Sequence, residues 1–195
     1  MLGALPTGLW LARRRAGVDP TRTGSGSSGA TNVGRLLGWR WGVLTGLLDL
    51  GKGALAVSLA GLARDPVPWL PAALGLLAVV GHCWSPFARG RGGKGAATGA
   101  GVALVLAPAA ALISLAAAGV VLLLGRRMAP ASLTGVALFP AILYLTGEVT
   151  TARLGFALGL LALVFLTHRE NLVRLAHGRE EALWHWHGHG QSGEG

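Results

Sequence analysis

The stretch WGVLTGLLDLGKGALAVSLAGLA, residues 41–63, decides the fold class. It runs for longer than the roughly 20 apolar residues that a helix needs to cross the hydrocarbon of a bilayer. It lacks the period-two alternation of a barrel strand, so it reads as a membrane-spanning helix. The run carries two charges, Asp49 and Lys52. They stand three residues apart and so on one helix face. Charged groups inside a span are costly and turn toward the bundle interior or a polar cavity. Two readings stay open here: an internal ion pair that ties helices together, or a charge lining an active-site cavity.

The rest of the chain agrees with a membrane solvent. Of 195 residues 52% are apolar and only 13% charged, with a mean hydropathy of +0.54; a soluble domain carries about 25% charge. Further apolar runs cover Leu2–Ala12, Trp69–Val80, Gly99–Gly125, Ser132–Gly147 and Ala152–Thr167. Polar, Gly-rich or basic segments separate them at 13–40, 81–98 and 168–195, with short turns at 64–68 and 126–131. The expectation is an all-α integral membrane protein, a polytopic bundle of about five to seven transmembrane helices. One domain spans 1–183, and a His/Trp/Gly-rich tail follows at 184–195. If the three polar segments share one face, an even number of crossings must separate 81–98 from 168–195, yet three apolar runs lie between them. A half-helix, or a break in the run that contains Pro108, resolves the parity, and Arg126 and Arg127 then decide the side.

The formal net charge is +9, with most basic residues in short segments between apolar runs. That is the pattern of cytoplasmic loops, and it attracts anionic head groups and phosphorylated metabolites rather than nucleic acid. The single cysteine, Cys83, excludes an intrachain disulfide framework. The stretch Met1–Ala12 lacks the layout of a signal peptide and is too short to span a bilayer. It reads as the latter part of a first transmembrane helix, or as a chain whose true start lies upstream.

Residues Gly24-Ser25-Gly26-Ser27-Ser28-Gly29 match G-x-G-x-x-G, and Asp49 stands where a ribose-binding acid is expected. The context excludes a dinucleotide fold. Upstream lie Pro20 and no β-branched run, and Asp49 is inside an apolar span rather than at a strand end. A P-loop is excluded too, because Ala88 and Gly95 stand where that motif needs Gly and Ser or Thr. Neither His82 nor His168 begins an H-x-x-x-x-D acyltransferase signature.

Three segments remain, each beside a membrane run: Gly24–Arg35; Gly81-His82 with Pro86-Phe87 and Gly90–Thr98; and His168–Glu180. In this order and spacing they resemble the bacterial acyl-phosphate:glycerol-3-phosphate acyltransferases, the PlsY family, over nearly the whole chain. The resemblance implies a multi-pass enzyme of the bacterial cytoplasmic membrane, with its motif loops facing the cytoplasm. It implies transfer of an acyl group from acyl phosphate to the 1-hydroxyl of glycerol 3-phosphate, with no cofactor and no metal. It further implies transient contact with a soluble enzyme that makes acyl phosphate. Two positions depart from the family pattern: Ser27 stands for an Asn, and Gly3-Ala4-Leu5-Pro6 stands for Gly-Ser-x-Pro. Other readings of the same segments are a small transporter or anion channel, or a non-catalytic paralogue.

Acyl phosphate is an activated mixed anhydride, so this chemistry needs phosphate positioning more than a protein nucleophile. Glycine-rich turns form anion-binding nests, one from Gly24, Gly26 and Gly29 and a second from Gly92, Gly93 and Gly95. Lys94 supplies a point charge and Arg35 a bidentate fork; Ser25, Thr31, Asn32 and Thr98 offer neutral donors. Alternatively the glycines are caps or packing contacts, and the basic residues are interfacial anchors. On a continuing helix His168, Asn171 and Arg174 share a face. His168 is then a general base toward the glycerol hydroxyl or a binding group, with Lys94, Asn171 and Ser25 beside it as catalytic candidates. His82 is either a motif residue of the site or a structural hydrogen-bonding one. The alternating histidines 185, 187 and 189 have no second ligand cluster, so an interfacial or disordered tail is expected rather than a metal site.

Overall fold

The structure, a computed structural model, describes residues 2–62 and 67–183. All regular elements among them are helical. A single turn of 3-10 helix, Leu2–Ala4, leads into α1 (Thr7–Ala16), α2 (Ala30–Leu37) and α3 (Trp39–Ser58). Then come α4 (Leu70–Cys83), α5 (Ala96–Leu106), α6 (Pro108–Gly125), α7 (Met128–Leu145), α8 (Thr151–Thr167) and α9 (Arg169–Ala176). Four segments are long and apolar enough to cross a membrane, at Trp39–Gly61, Leu70–Ala88, Pro108–Gly125 and Met128–Leu145. The bent pair of α8 and α9 makes a fifth. With the shorter α1 and α5, these account for the five to seven helices read from the apolar runs. The histidines of the tail lie outside the described residues.

The break at Pro108 is real, and it settles the parity. A residue before proline is pushed out of the helical region, and Ala107 sits at φ −151°, ψ 77°. Pro108 then opens α6 at a position where its missing N–H costs nothing. The single apolar run Gly99–Gly125 is therefore two antiparallel helices. Ala96 and Ala97 at the start of α5 line the same cavity as Leu122 near the end of α6. Four helices, α5 to α8, now separate the second polar segment from the third, so both return to one face. Arg126 and Arg127 lie on that face, where the Leu183 amide donates to the Arg126 carbonyl and Arg127 Nε to the Glu180 carbonyl. At the opposite face the Glu148 carboxylate caps α6 by accepting from the Ala110 amide at 2.7 Å.

Small residues let the helices approach closely, as in membrane bundles generally. Between α3 and α5 there is no room for a side chain on either partner. A Cβ on Gly53 would meet the Thr98 carbonyl, and one on Gly101 would meet the Leu50 carbonyl. The core behind this crossing holds Val57, Val79, Val102, Leu143, Leu160 and Val164. Leu124 and Leu145, more than four-fifths exposed, face outward as lipid-facing residues do. The Gly101→Val variant is expected to lose at least about 1–3 kcal/mol by overpacking. Gly51, with nothing within reach of a Cβ, should accept alanine with no loss. Thermal unfolding in detergent checks both, and equal melting temperatures would contradict the close crossing.

Candidate functional site

The three polar segments meet in one cavity of about 90 Å³ at the ends of α2, α5, α7 and α8. The first segment is wound tightly before α2. Asp19 accepts from the Thr21 hydroxyl at 2.6 Å and from Arg13 at 2.8 Å, and these bonds, the threonine's first, hold its carboxyl down at about 2. The Asn32 side chain accepts from the Ser25 amide and donates to the carbonyls of Pro20, Thr23 and Ser27. Its amide group is thus taken up in shaping the loop, while its backbone lies in the first turn of α2. Gly24 and Gly26 turn the chain with left-handed backbones, φ 62° and 68°. A Cβ on Gly24 would collide with the Asn32 side chain. Ser27, where the family pattern has Asn, accepts from the Gly29 amide at 3.2 Å.

The second segment is strung on the first and on α4. The Ser28 amide donates to the Gly92 carbonyl at 3.1 Å, and the Gly93 amide to the His82 carbonyl at 3.1 Å. Gly92 and Gly93 are small because a Cβ would strike the His82 and Cys83 carbonyls, or the His82 ring. Gly95 then caps α5 in a left-handed conformation, φ 86°. Gly29, Ala30 and Thr31 at the start of α2, Gly95, Ala96 and Ala97 at the start of α5, and Met128 and Ala129 at the start of α7 all line the cavity. The first amides of a helix have no partner within it and carry its positive end. Three such ends on one small cavity suit an anion.

The third segment brings the ionisable groups. The sequence expectation of a continuing helix needs correction here: α8 and α9 meet at a 62° bend, and His168 is the hinge residue. There its ring turns back, with Nδ1 2.9 Å from the Val164 carbonyl. A carbonyl can only accept, so Nδ1 carries the proton and Nε2 presents a lone pair. Burial, reinforced by the Lys94 charge, holds the His168 imidazole down at about 4, so it is neutral at ordinary pH. Lys94 donates to Asn171 Oδ1, and Asn171 Nδ2 donates to Glu180 Oε1 at 2.6 Å. Glu180 also pairs with Arg174 at 2.8 Å. Burial, then the Arg174 charge, lowers the Lys94 ammonium from its usual range. Arg35 pairs with Glu181 at 3.1 Å.

Of the residues singled out in the sequence, Ser25, Gly29, Thr31, Asn32, Arg35, Lys94, Gly95, His168 and Asn171 converge on the cavity. Gly24, Gly26, Gly92, Gly93, Thr98 and Arg174 stand behind its wall and shape or brace it. Thr98 is fully buried beneath Gly53, and its hydroxyl has no partner among the described residues. Sequence reasoning gave no site role to Glu180, Met128, Ala129 or Ser132. The signal for Glu180 was an acid amid Arg174 and Arg179; for the others it was their position just after Arg126-Arg127. Of the two intramembrane readings the structure shows the internal ion pair: Asp49 and Lys52 pair at 2.9 Å, neither lines the cavity, and Lys52 meets it only through His82, a cavity residue.

A second cavity of about 340 Å³ adjoins the first, sharing Ala96, Ala97, Met128 and Ser132 as lining residues. Its other walls are apolar or small, including Ala100, Ala103, Leu115, Gly119, Leu122 and Phe139. A charged, amide-rich chamber therefore stands against an oily one between α5, α6 and α7.

Comparison with known proteins agrees with this arrangement. The family model described as glycerol-3-phosphate acyltransferase matches residues 1–178. A glycerol-3-phosphate acyltransferase of Thermus thermophilus is 42% identical over 184 residues, covering 94% of this chain and 90% of the relative. Glycerol-3-phosphate acyltransferase 1 of Deinococcus radiodurans is 41% identical over 183 residues, covering 94% and 91%. The crystal structure of PlsY, an integral membrane glycerol 3-phosphate acyltransferase, in its glycerol 3-phosphate form superposes with a TM-score of 0.86 at 35% identity. That match covers 93% of this chain and 90% of PlsY. The lysophosphatidic acid form gives a TM-score of 0.84, covering 93% and 89%. With the helical bundle, the converging motif loops and the sequence match in accord, the chain belongs to the glycerol-3-phosphate acyltransferase family of integral membrane enzymes.

Proposed function

We propose that this chain transfers a fatty acyl group from an acyl phosphate to the 1-hydroxyl of sn-glycerol 3-phosphate, giving lysophosphatidic acid and inorganic phosphate. The observation that carries this reading is the junction of the two chambers at Ala96, Ala97, Met128 and Ser132. An acyl phosphate has a dianionic head on an apolar chain. Its head suits the helix ends, Lys94 and Arg35, and its chain suits the apolar chamber. The scissile carbonyl then lies at the junction, within reach of a hydroxyl bound beside His168 and Asn171.

In the reaction the hydroxyl oxygen bonds to the acyl carbon, the acyl C–O bond to phosphate breaks, and the hydroxyl proton ends on the departing phosphate. The His168 Nε2 lone pair orients the hydroxyl and carries that proton in transit. Because burial and Lys94 disfavour the imidazolium, His168 does not retain the proton but yields it to the departing phosphate, which leaves a dianionic acyl phosphate as a trianion far more basic than the buried ring. Lys94, Arg35 and the amides of α2 and α5 stabilise the charge that gathers on the leaving phosphate. Ser25 and Thr31 offer further neutral donors at the same wall.

The distribution of positive charge supports an orientation. Arg13, Arg14, Arg15, Arg22, Arg35, Arg89, Arg91, Arg126 and Arg127 lie in or beside the site-face segments, whereas Arg153 opens α8 at the other end. Basic loops stay in the cytoplasm, so the site faces the cytoplasm from the cell membrane. A soluble enzyme that makes acyl phosphate reaches it from that side.

Turnover of purified protein in detergent, with acyl phosphate and labelled glycerol 3-phosphate, tests the reading. Lys94→Ala is expected to lower kcat/KM by about 100-fold or more. After correction for substrate ionisation, activity that needs the neutral His168 imidazole should persist from neutral pH downward and fall only as pH passes through about 4. A limb near the ordinary histidine value would contradict the buried, neutral ring, and a His168→Gln variant with undiminished kcat would remove the proton-carrying role.

Gly119 lines the apolar chamber with nothing within reach of a Cβ. It lies six residues from Gly125, about 9 Å along α6 from the site face. Gly119→Leu should therefore lower kcat/KM about 10- to 100-fold for long acyl donors, each buried methylene contributing about 0.8 kcal/mol. Short donors should be spared, and an equal loss for all chain lengths would place the chain elsewhere.

A further inference from the structure

One wall of the polar cavity has no task in that chemistry: the ring of His82. Behind it, inside the membrane span, Lys52 Nζ lies 2.9 Å from the Leu5 carbonyl, 2.9 Å from Asp49 Oδ1 and 2.8 Å from His82 Nδ1. An ammonium has three hydrogens and no lone pair, so each of these contacts takes one hydrogen and His82 Nδ1 must accept. Asp49 Oδ1, at 3.6 Å from Nδ1, is beyond hydrogen-bond reach; it accepts instead from the Thr7 hydroxyl at 2.7 Å. The ring proton is therefore on Nε2. That atom lies directly under Gly93, where a Cβ would overlap the ring, and His82 lines the cavity. Nε2 has no acceptor among the described residues, although the residue is only 5% exposed.

The two histidines of the cavity are thus opposite tautomers: His168 offers a lone pair and His82 an N–H. We propose that His82 is a neutral hydrogen-bond donor to a substrate phosphate oxygen, its Nε2–H tautomer set by the chain Lys52–Asp49–Thr7 behind it. Lys52, Asp49 and Thr7 are positioning residues, since they act through the ring and touch no substrate. An ammonium behind the ring also polarises the Nε2–H bond outward, in a region of low dielectric where such bonds are stronger. The membrane-buried ion pair then has a reason to exist beyond joining α3 to the N-terminal segment. This assignment rests on the reading of the cavity as a phosphate site.

Nitrogen-15 spectra of imidazole-labelled protein in detergent test it without relying on turnover. The His82 signals should show a single neutral Nε2–H tautomer. That N–H should shift on addition of glycerol 3-phosphate or of decylphosphonate, a non-reacting stand-in for acyl phosphate; the responding ligand identifies whose phosphate it meets. Lys52→Met should collapse the single-tautomer signature. In assays, His82→Phe should lower kcat/KM about 100-fold, while His82→Gln, whose side-chain amide restores a donor near the Nε2 position, should stay within about fivefold of wild type. An Nδ1–H or imidazolium spectrum in the wild type, no shift with either ligand, or a folded His82→Phe protein with near-normal activity would overturn the proposal. A ligand-dependent shift in a protein that does not turn over would uphold the donor and count against the reaction.

Discussion

In hydrocarbon every backbone polar group needs an internal partner, and a helix has amides to spare only in its first turn. The site depends on that constraint. The starts of α2, α5 and α7 converge on one cavity, each supplying amides that the bilayer would otherwise penalise. The glycine-rich loops are the means of bringing them there. Asn32 knots the loop before α2, the Ser28–Gly92 bond ties that loop to the next, and Gly95 turns the chain into α5. An anion in the cavity would complete the hydrogen bonding of all three ends, so on the proposed reading the fold's unmet need and the substrates' charge answer each other.

Side-chain charge is arranged around this amide core in two layers. Near the surface, Lys94, Asn171, Glu180 and Arg174 form one connected chain, in which Glu180 orients the Asn171 amide so that its oxygen faces Lys94. Glu180 and Glu181 also bring the segment after α9 across the mouth, through Arg127 and Arg35. Deeper, Asp49, Lys52 and His82 balance charge within the span and expose only a neutral edge to the cavity. The apolar chamber beyond is kept open by small residues on α5, α6 and α7, such as Ala100, Gly119 and Ala131. One surface of the molecule is therefore graded from cationic to oily over a few residues. A lipid with a phosphate head has the same gradient.

Much of this was legible in the residues alone. Run lengths gave the membrane helices, Pro108 marked the break that restores the parity of crossings, and the order of three motif segments gave the family. The cavity residues Ser25, Arg35, Lys94, His168 and Asn171 were readable because the resemblance to the family marked their motifs and their types suit phosphate chemistry. Other features depended on tertiary geometry that spacing does not encode. The 62° bend at His168 is invisible in a segment whose helical pattern looks continuous. Gly92, Gly93 and Gly24 looked like nest residues, yet their side-chain positions are blocked by His82, Cys83 and Asn32. Asp49 and Lys52 announced a buried pair, but the partner that gives the pair direction lies thirty residues away on α4.

The central claim is that the two chambers hold one donor, a phosphate head on an acyl chain. Supplying purified protein with glycerol 3-phosphate and equal amounts of acyl phosphate and acyl-CoA, while following lysophosphatidate, inorganic phosphate and free thiol together, tests it most directly. The account predicts one phosphate released for each lysophosphatidate formed and no thiol. Product formed with thiol release, or without phosphate release, would contradict it.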